Sequence, residues 1–252
     1  MRILALDTSG LVAGVALLED DCLLAEYTIC YKKTHSQTLL PMLEEVRKML
    51  ELDLSTIDGI AIASGPGSFT GLRIGSATAK GLGLALGKPL IEVPTLEGLA
   101  YNMYGAEGLV CPVMDARRNQ VYTGIYRFEK EGTGFRLNCV VEQCAEDINE
   151  LLQKLNELGE PVVFLGDGVP VFKDRIAETL KTEYSFAPAG KNRQSAGSVA
   201  ALGAVYFSQG KTVTAEEHAP EYLRKSQAER EREEAQKAGE AAMKALAAGK
   251  TC

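Results

Sequence analysis

Leu4-Ala5-Leu6-Asp7-Thr8-Ser9-Gly10 and Pro112-Val113-Met114-Asp115-Ala116-Arg117-Arg118 decide how this chain is read. Each is a short apolar run that stops at an aspartate and then turns. Around the first, Arg2–Asp7, Val12–Leu18 and Leu23–Ile29 read as three short strands joined by tight turns. Leu39, Met42, Leu43, Val46, Met49 and Leu50 then recur at helical spacing. They predict a helix over Thr38–Glu51, with Thr38 as its cap and Pro41 in the first turn, where a missing N–H costs little. A strand at Ile57–Ala63, a helix at Phe69–Leu86, a strand at Leu90–Val93 and a helix at Thr95–Tyr104, capped by Thr95, complete the first half.

The second half repeats that order. Leu109–Met114, Gln120–Phe128 and Phe135–Val141 read as strands, and Glu146–Leu158 as a helix. Val162–Leu165 is a strand, Val169–Leu180 a helix, and Ser195–Gln209 the last helix of the body. Identity between the copies is slight, so the repeat rests on element order, which is what fixes an architecture. The expected fold is α/β with two βββαβα domains, the duplicated ribonuclease-H-like arrangement of actin, hexokinase and Hsp70. Domain boundaries are expected at 1–105 and 106–225, with the helix at about 195–209 free to pack back on the first domain. The charged residues 226–252 read as a solvated tail, because they carry alternating charge and no apolar stripe.

The bulk numbers exclude several classes. The chain has 252 residues and a net charge of −7, so it has no cationic surface for gripping nucleic acid unaided. No run of 18 apolar residues is present, and no secretory segment precedes the first strand. The expected location is therefore the cytoplasm, away from membranes. The six cysteines are scattered without a Cys-x-x-Cys pair, which suits reduced thiols.

Some motifs could carry chemistry. Asp7-Thr8-Ser9, Asp115 with Arg117 and Arg118, and Gly166-Asp167-Gly168 are turns that could face a phosphate, or could merely be turns or ion pairs. Gly65-Pro66-Gly67-Ser68 leads from a strand into a helix, where amides and the helix dipole favour an anion. It lacks the Gly-Lys-Ser/Thr of a P-loop. The expected nucleotide or anion site is a weak or vestigial one: Asp7, Thr8, Ser9, Gly65, Gly67, Ser68, Asp115, Arg117, Gly166, Asp167 and Gly168. Weak ATP or ADP binding is the only cofactor expectation, and no metal site is expected. Gly71, Gly75, Ala79 and Gly83 form a small-residue ridge that could meet the chain's own sheet or a second subunit. With Leu39, Met42, Leu43 and Val46 they are the expected partner or dimer surface. Gly75→Leu or Ala79→Leu should then weaken pairing and spare the fold. No Ser-His-Asp or Cys-His arrangement is legible.

Ile3-Leu4-Ala5-Leu6-Asp7-Thr8-Ser9, His35-Ser36 leading to Leu39-Leu40-Pro41, and Gly65-Pro66-Gly67-Ser68-Phe69-Thr70-Gly71-Leu72-Arg73-Ile74-Gly75 together resemble the TsaB (YeaZ) family. Val93-Pro94-Thr95-Leu96-Glu97, Met114-Asp115-Ala116-Arg117-Arg118 and Pro220-Glu221-Tyr222-Leu223-Arg224 extend the likeness over about residues 1–225. The resemblance implies a role in making N6-threonylcarbamoyladenosine at position 37 of tRNAs that read codons starting with A. It implies a non-catalytic scaffold that activates the paralogous transferase TsaD, with the ATPase TsaE joining the pair. The tRNA would be met only through that complex, and a homodimer would form when the chain is alone. TsaD proteins carry a metal-binding His-x-x-x-His, whereas here His35 is followed four residues later by Leu39. An independent nucleotide-dependent transferase or kinase is the alternative. A glycoprotease-like metallopeptidase fits less well, for want of that second histidine.

Overall fold

The computed structural model describes residues 1–31 and 33–224. The predicted tail at 226–252 lies outside the described residues. Strands β1 (Arg2–Asp7), β2 (Val12–Glu19) and β3 (Cys22–Cys30) form a meander. Helix α1 (His35–Met49) leads to β4 (Gly59–Gly65), α2 (Phe69–Leu86), β5 (Leu90–Pro94) and the short α3 (Thr95–Ala100). The second half runs β6 (Leu109–Asp115), β7 (Gln120–Glu131), β8 (Gly134–Asp147), α4 (Ile148–Leu158), β9 (Val162–Leu165), α5 (Val169–Thr179), β10 (Tyr184–Phe186) and α6 (Ala196–Ser208).

The two sheets have one topology. The first is ordered β3-β2-β1-β4-β5, and the second β8-β7-β6-β9-β10. In each, the first strand of the meander pairs antiparallel with the second and parallel with the strand after the helix. This is a duplicated ribonuclease-H-like fold of the actin/hexokinase class.

Strand period 2 places the core. Leu4, Leu6, Val15, Leu17, Ile60 and Ile62 face α1 and α2, while Ile3, Ala5, Ala16, Ala61 and Ala63 face α6. The second face is lined by small residues because α6 comes very close. A Cβ on Gly203 would sit 2.7 Å from that of Ala61. The halves therefore exchange helices. α6, the last helix of the second half, covers β1, β2, β4 and β5, and α3, from the first half, packs on β6 and β7 as well as on β4 and β5. Each fully buried Val or Leu in these layers contributes about 1.5–3 kcal/mol.

Four expectations about elements are corrected. α1 begins at His35 rather than Thr38, so Pro41 lies inside it, on an exposed position. Thr95 does not cap α3; the cap position is Pro94, and the Thr95 hydroxyl instead accepts the Gly65 amide at 3.1 Å. β8 extends to Asp147, whose carboxylate caps α4 by accepting the Asn149 amide at 2.8 Å. β10 escaped prediction because it is only three residues long.

The expected partner surface is also corrected. Leu39, Met42, Leu43 and Val46 are buried in the chain's own core under the first sheet. Gly71, Gly75, Ala79 and Gly83 face the same way. Added Cβ atoms on Gly71 and Gly75 would meet Thr8 at 2.1 and 2.4 Å, and on Gly83 would meet Leu90 at 3.0 Å. The ridge serves close packing of α2 on β1 and β5. The outward stripe of α2 is Thr70, Arg73, Ala77, Gly81, Leu84 and Ala85. Gly75→Leu and Ala79→Leu are therefore expected to lower unfolding free energy by at least about 1–3 kcal/mol through overpacking. Gly81, with nothing within 4 Å of an added Cβ, should behave oppositely. Gly81→Ala should raise stability by up to about 1 kcal/mol through helix propensity, read from urea midpoints of the three variants.

Candidate functional site

The ends of β1, β4, β6 and β9 converge on a cleft of about 510 Å³ between the two halves. Of the expected site residues, Ser9, Gly67, Ser68, Asp115, Arg117 and Asp167 line it, joined by His35 at the start of α1. Sequence reasoning could not place these groups together, because their approach depends on both sheets at once.

Asp7, Thr8, Gly65, Gly166 and Gly168 stand behind that surface, a correction to the expectation. Asp7 is buried, and its Oδ1 accepts the Ser9 amide and hydroxyl at 2.8 and 2.7 Å. Burial, opposed by those bonds and by His35, pushes its carboxyl from 3.8 up to about 6. The Thr8 hydroxyl donates to the Gly71 carbonyl at 2.8 Å. The Asp-Thr-Ser turn thus holds the glycine loop in place.

That loop is closely bound to the hairpin. The Ser68 amide donates to the Ser9 carbonyl at 2.7 Å, and the Ser68 hydroxyl accepts the Gly71 amide at 3.3 Å. Two of the amides that could have cradled an anion are taken by the chain itself. The second half repeats the device, with the Gly168 amide on the Val113 carbonyl at 2.9 Å. Asp167 accepts the Asp115 amide at 3.3 Å, and burial holds its carboxyl above the usual range.

The hairpin after Asp115 is strained. Arg117, Arg118 and Asn119 have φ of 65°, 57° and 61°, a left-handed run that costs about 1–2 kcal/mol per residue. Arg117 lies 3.3 Å from Asp115 in an exposed ion pair, and its amide donates to the same carboxylate at 2.8 Å. Arg224 donates to the Ala116 carbonyl, so the segment 212–224 reaches this hairpin. On its way that segment hydrogen-bonds the Ser64 carbonyl through the Glu221 amide at 2.7 Å and stacks Tyr222 on Phe69 at 4.7 Å.

His35 donates from Nε2 to the Gly10 carbonyl at 2.9 Å, and Leu39 is 1% exposed in the core. Leucine has no donor atom, so position 39 adds no second ligand to the His35 imidazole. One arrangement was missed. Ser76 Oγ lies 2.7 Å from His218 Nε2, and His218 Nδ1 lies 2.6 Å from Glu92. It spans 142 residues of sequence, so no spacing could reveal it. Ser76 and His218 are 5% and 1% exposed, and their polar atoms are engaged with each other and with Glu92. The chain of bonds ties the segment after α6 to α2 and β5.

The sequence profile of the family described as "TsaD: tRNA N6-adenosine threonylcarbamoyltransferase" matches residues 23–232. The tRNA threonylcarbamoyladenosine biosynthesis protein TsaB of Bacillus subtilis is 35% identical over 94% of this chain and 100% of its own length. TsaB of Escherichia coli is 33% identical over 89% and 95%. The chain belongs to the TsaB family of tRNA threonylcarbamoyladenosine biosynthesis proteins. Among solved structures, YeaZ from Pseudomonas aeruginosa superposes with a TM-score of 0.70 at 28% identity, covering 88% of this chain and 99% of that one. No helix among the described residues is long and apolar enough to cross a membrane.

Asp7 gives the TsaB-family cleft a pH signature. Its folded carboxyl titrates above its unfolded one, so its contribution to stability is complete below about pH 4 and is lost as pH rises through 6. Carrying the charge at pH 7 costs about 3 kcal/mol. Asp7→Asn keeps an acceptor for Ser9, and the urea midpoint of the variant relative to the parent should rise from pH 4 to pH 7. Parallel midpoint curves would refute the assignment.

Proposed function

We propose that this chain is a non-catalytic subunit that stabilises and activates TsaD during formation of N6-threonylcarbamoyladenosine at position 37 of ANN-decoding tRNAs. TsaE joins through the TsaB–TsaD pair, tRNA is met only through the complex, and the isolated chain forms a homodimer through an overlapping surface. The observation that carries this reading is the contrast between cleft and helices. Two of the cleft's loop amides, those of Ser68 and Gly71, are engaged internally, while α2 turns a continuous small and apolar stripe outward: Ala77, Gly81, Leu84 and Ala85. Leu84 is 58% exposed, and on neighbouring α1 Leu40 and Met49 are 55% and 80% exposed. Uncovered apolar faces of this kind suit a subunit contact. The net charge of −7 supports the dependence on a partner for tRNA.

The open cleft between Ser68, Asp115 and Asp167 supports a second role, weak ATP or ADP binding. It lends nothing to a metallopeptidase, because Leu39 offers no donor atom.

Reconstitution with TsaD, TsaE, threonylcarbamoyl-adenylate, ATP and tRNA, leaving out one component at a time, tests the scaffold. Modification should collapse when this chain is omitted; equal modification without it sinks the proposal. Ala77→Arg and Gly81→Arg should weaken pairing with TsaD by about tenfold or more, equivalent to at least about 1.4 kcal/mol. Neither should lower the melting temperature, and Gly81→Arg should raise it slightly through helix propensity. Full-strength heterodimer on size-exclusion chromatography would move the interface elsewhere.

A further inference from the structure

A second pocket, of about 330 Å³, lies where α3 and α6 meet β7 and β8, and it shares no lining residue with the cleft. Tyr101, Tyr126, Phe135 and Tyr206 line it, together with Glu97 and Lys211. Glu97 belongs to the Val93-Pro94-Thr95-Leu96-Glu97 motif, which the cleft does not explain.

The pocket contains a buried polar atom that lacks a partner. Tyr126 is 1% exposed, and its hydroxyl has no hydrogen-bond partner. Leaving such a group buried and unpaired is unfavourable, because it gives up its bonds to water and receives none in return. The hydroxyl is accommodated because residue 124 is glycine; a Cβ there would sit 2.6 Å from it. The half-buried Glu97 carboxyl accepts a hydrogen bond from the Tyr206 hydroxyl, and among the described residues no cation pairs with it directly. Burial raises its affinity for a proton, while Tyr206 and the more distant Lys211 act against this.

The chain's own chemistry shows what the pocket attracts. Lys211 extends its ammonium over the Tyr206 ring, 4.6 Å from the centroid. Aromatic faces, a carboxylate and a free hydroxyl acceptor together select a cation. Arg136 and Glu131 line the pocket too, but Arg136 is held by Glu129 at 3.2 Å and by Glu131 at 3.9 Å, which leaves the Glu97 carboxylate to disfavour an anion. A neutral apolar molecule would leave the Tyr126 hydroxyl unpaired and bring no countercharge to Glu97.

We propose that this pocket binds a small organic ammonium with an apolar body, its N–H groups taken by Glu97 and the Tyr126 hydroxyl, with Lys211 displaced from the Tyr206 ring. The proposal is independent of the pairing with TsaD.

2-Phenylethylamine is the probe, and 2-phenylethanol its neutral counterpart, titrated calorimetrically into the full chain. Saturable binding of the amine is expected, with the alcohol weaker by about tenfold or more. Glu97→Gln should weaken the amine by about tenfold, Tyr126→Phe should weaken it several-fold, and Lys211→Met should tighten it. Tyr126→Phe removes only the unpaired hydroxyl, so it keeps the test valid should Glu97→Gln fold poorly. Equal binding of amine and alcohol, indifference to Tyr126→Phe, or absence of amine binding at millimolar concentration would each overturn the proposal.

Discussion

Contact between a glycine backbone and a β-hairpin governs this molecule. A Cβ on Gly67 would sit 2.2 Å from the Ser9 carbonyl, and one on Gly71 would sit 2.1 Å from that of Thr8. No side chain larger than hydrogen fits those distances, so the loop after β4 can close on the first hairpin only with glycine. In the second half, Gly166 approaches the Val113 carbonyl, where a Cβ would sit at 2.2 Å. Each sheet thus holds its crossover loop against its own meander, at the turn after β1 in the first half and at Val113 of β6 in the second. That places both helix starts and both hairpins on one side of the molecule. The cleft results from this packing, whether or not a ligand ever enters it.

The exchange of helices makes the two packings one structure. α6 covers the first sheet, and α3 bridges from its own β4 and β5 to β6 and β7 of the second. Asn102 reinforces the crossing by donating to the Lys191 and Arg193 carbonyls at 2.9 and 2.6 Å and accepting from Ser198 at 2.7 Å. After α6, the segment 212–224 pairs with β5 at Val213, is held to α2 through His218, and reaches the strained hairpin at Ala116. Its path links the outer face of α2 to the cleft mouth.

The fold was largely legible because its signals are local. Two apolar runs ending at Asp7 and Asp115, each followed by the same element order, were enough to expect the duplication. What stayed hidden depended on facing. Helical spacing finds Leu39, Met42, Leu43 and Val46 on one stripe, yet cannot say whether sheet or partner receives it. Small residues four apart likewise announce a close contact without naming the other side. The Ser76–His218–Glu92 chain and the pocket at Glu97 join residues more than a hundred positions apart, beyond any spacing rule.

The correction on facing also gives the outer stripe its meaning. Gly71, Gly75 and Gly83 are explained by the atoms they touch, so their cost in helix propensity is offset inside the chain. Gly81 is not: its added Cβ meets nothing within 4 Å, and about 1 kcal/mol of helix stability is forgone on an exposed surface. The four-residue spacing groups Gly71, Gly75, Ala79 and Gly83 and leaves Gly81 out. The structure separates three glycines that build the fold from one whose cost the isolated chain does not recover. An outward glycine flanked by Ala77, Leu84 and Ala85 is compensated only when another backbone comes close to it. The pairing proposed for this surface supplies that approach, and the same physics that explains the inner ridge then accounts for the outer one.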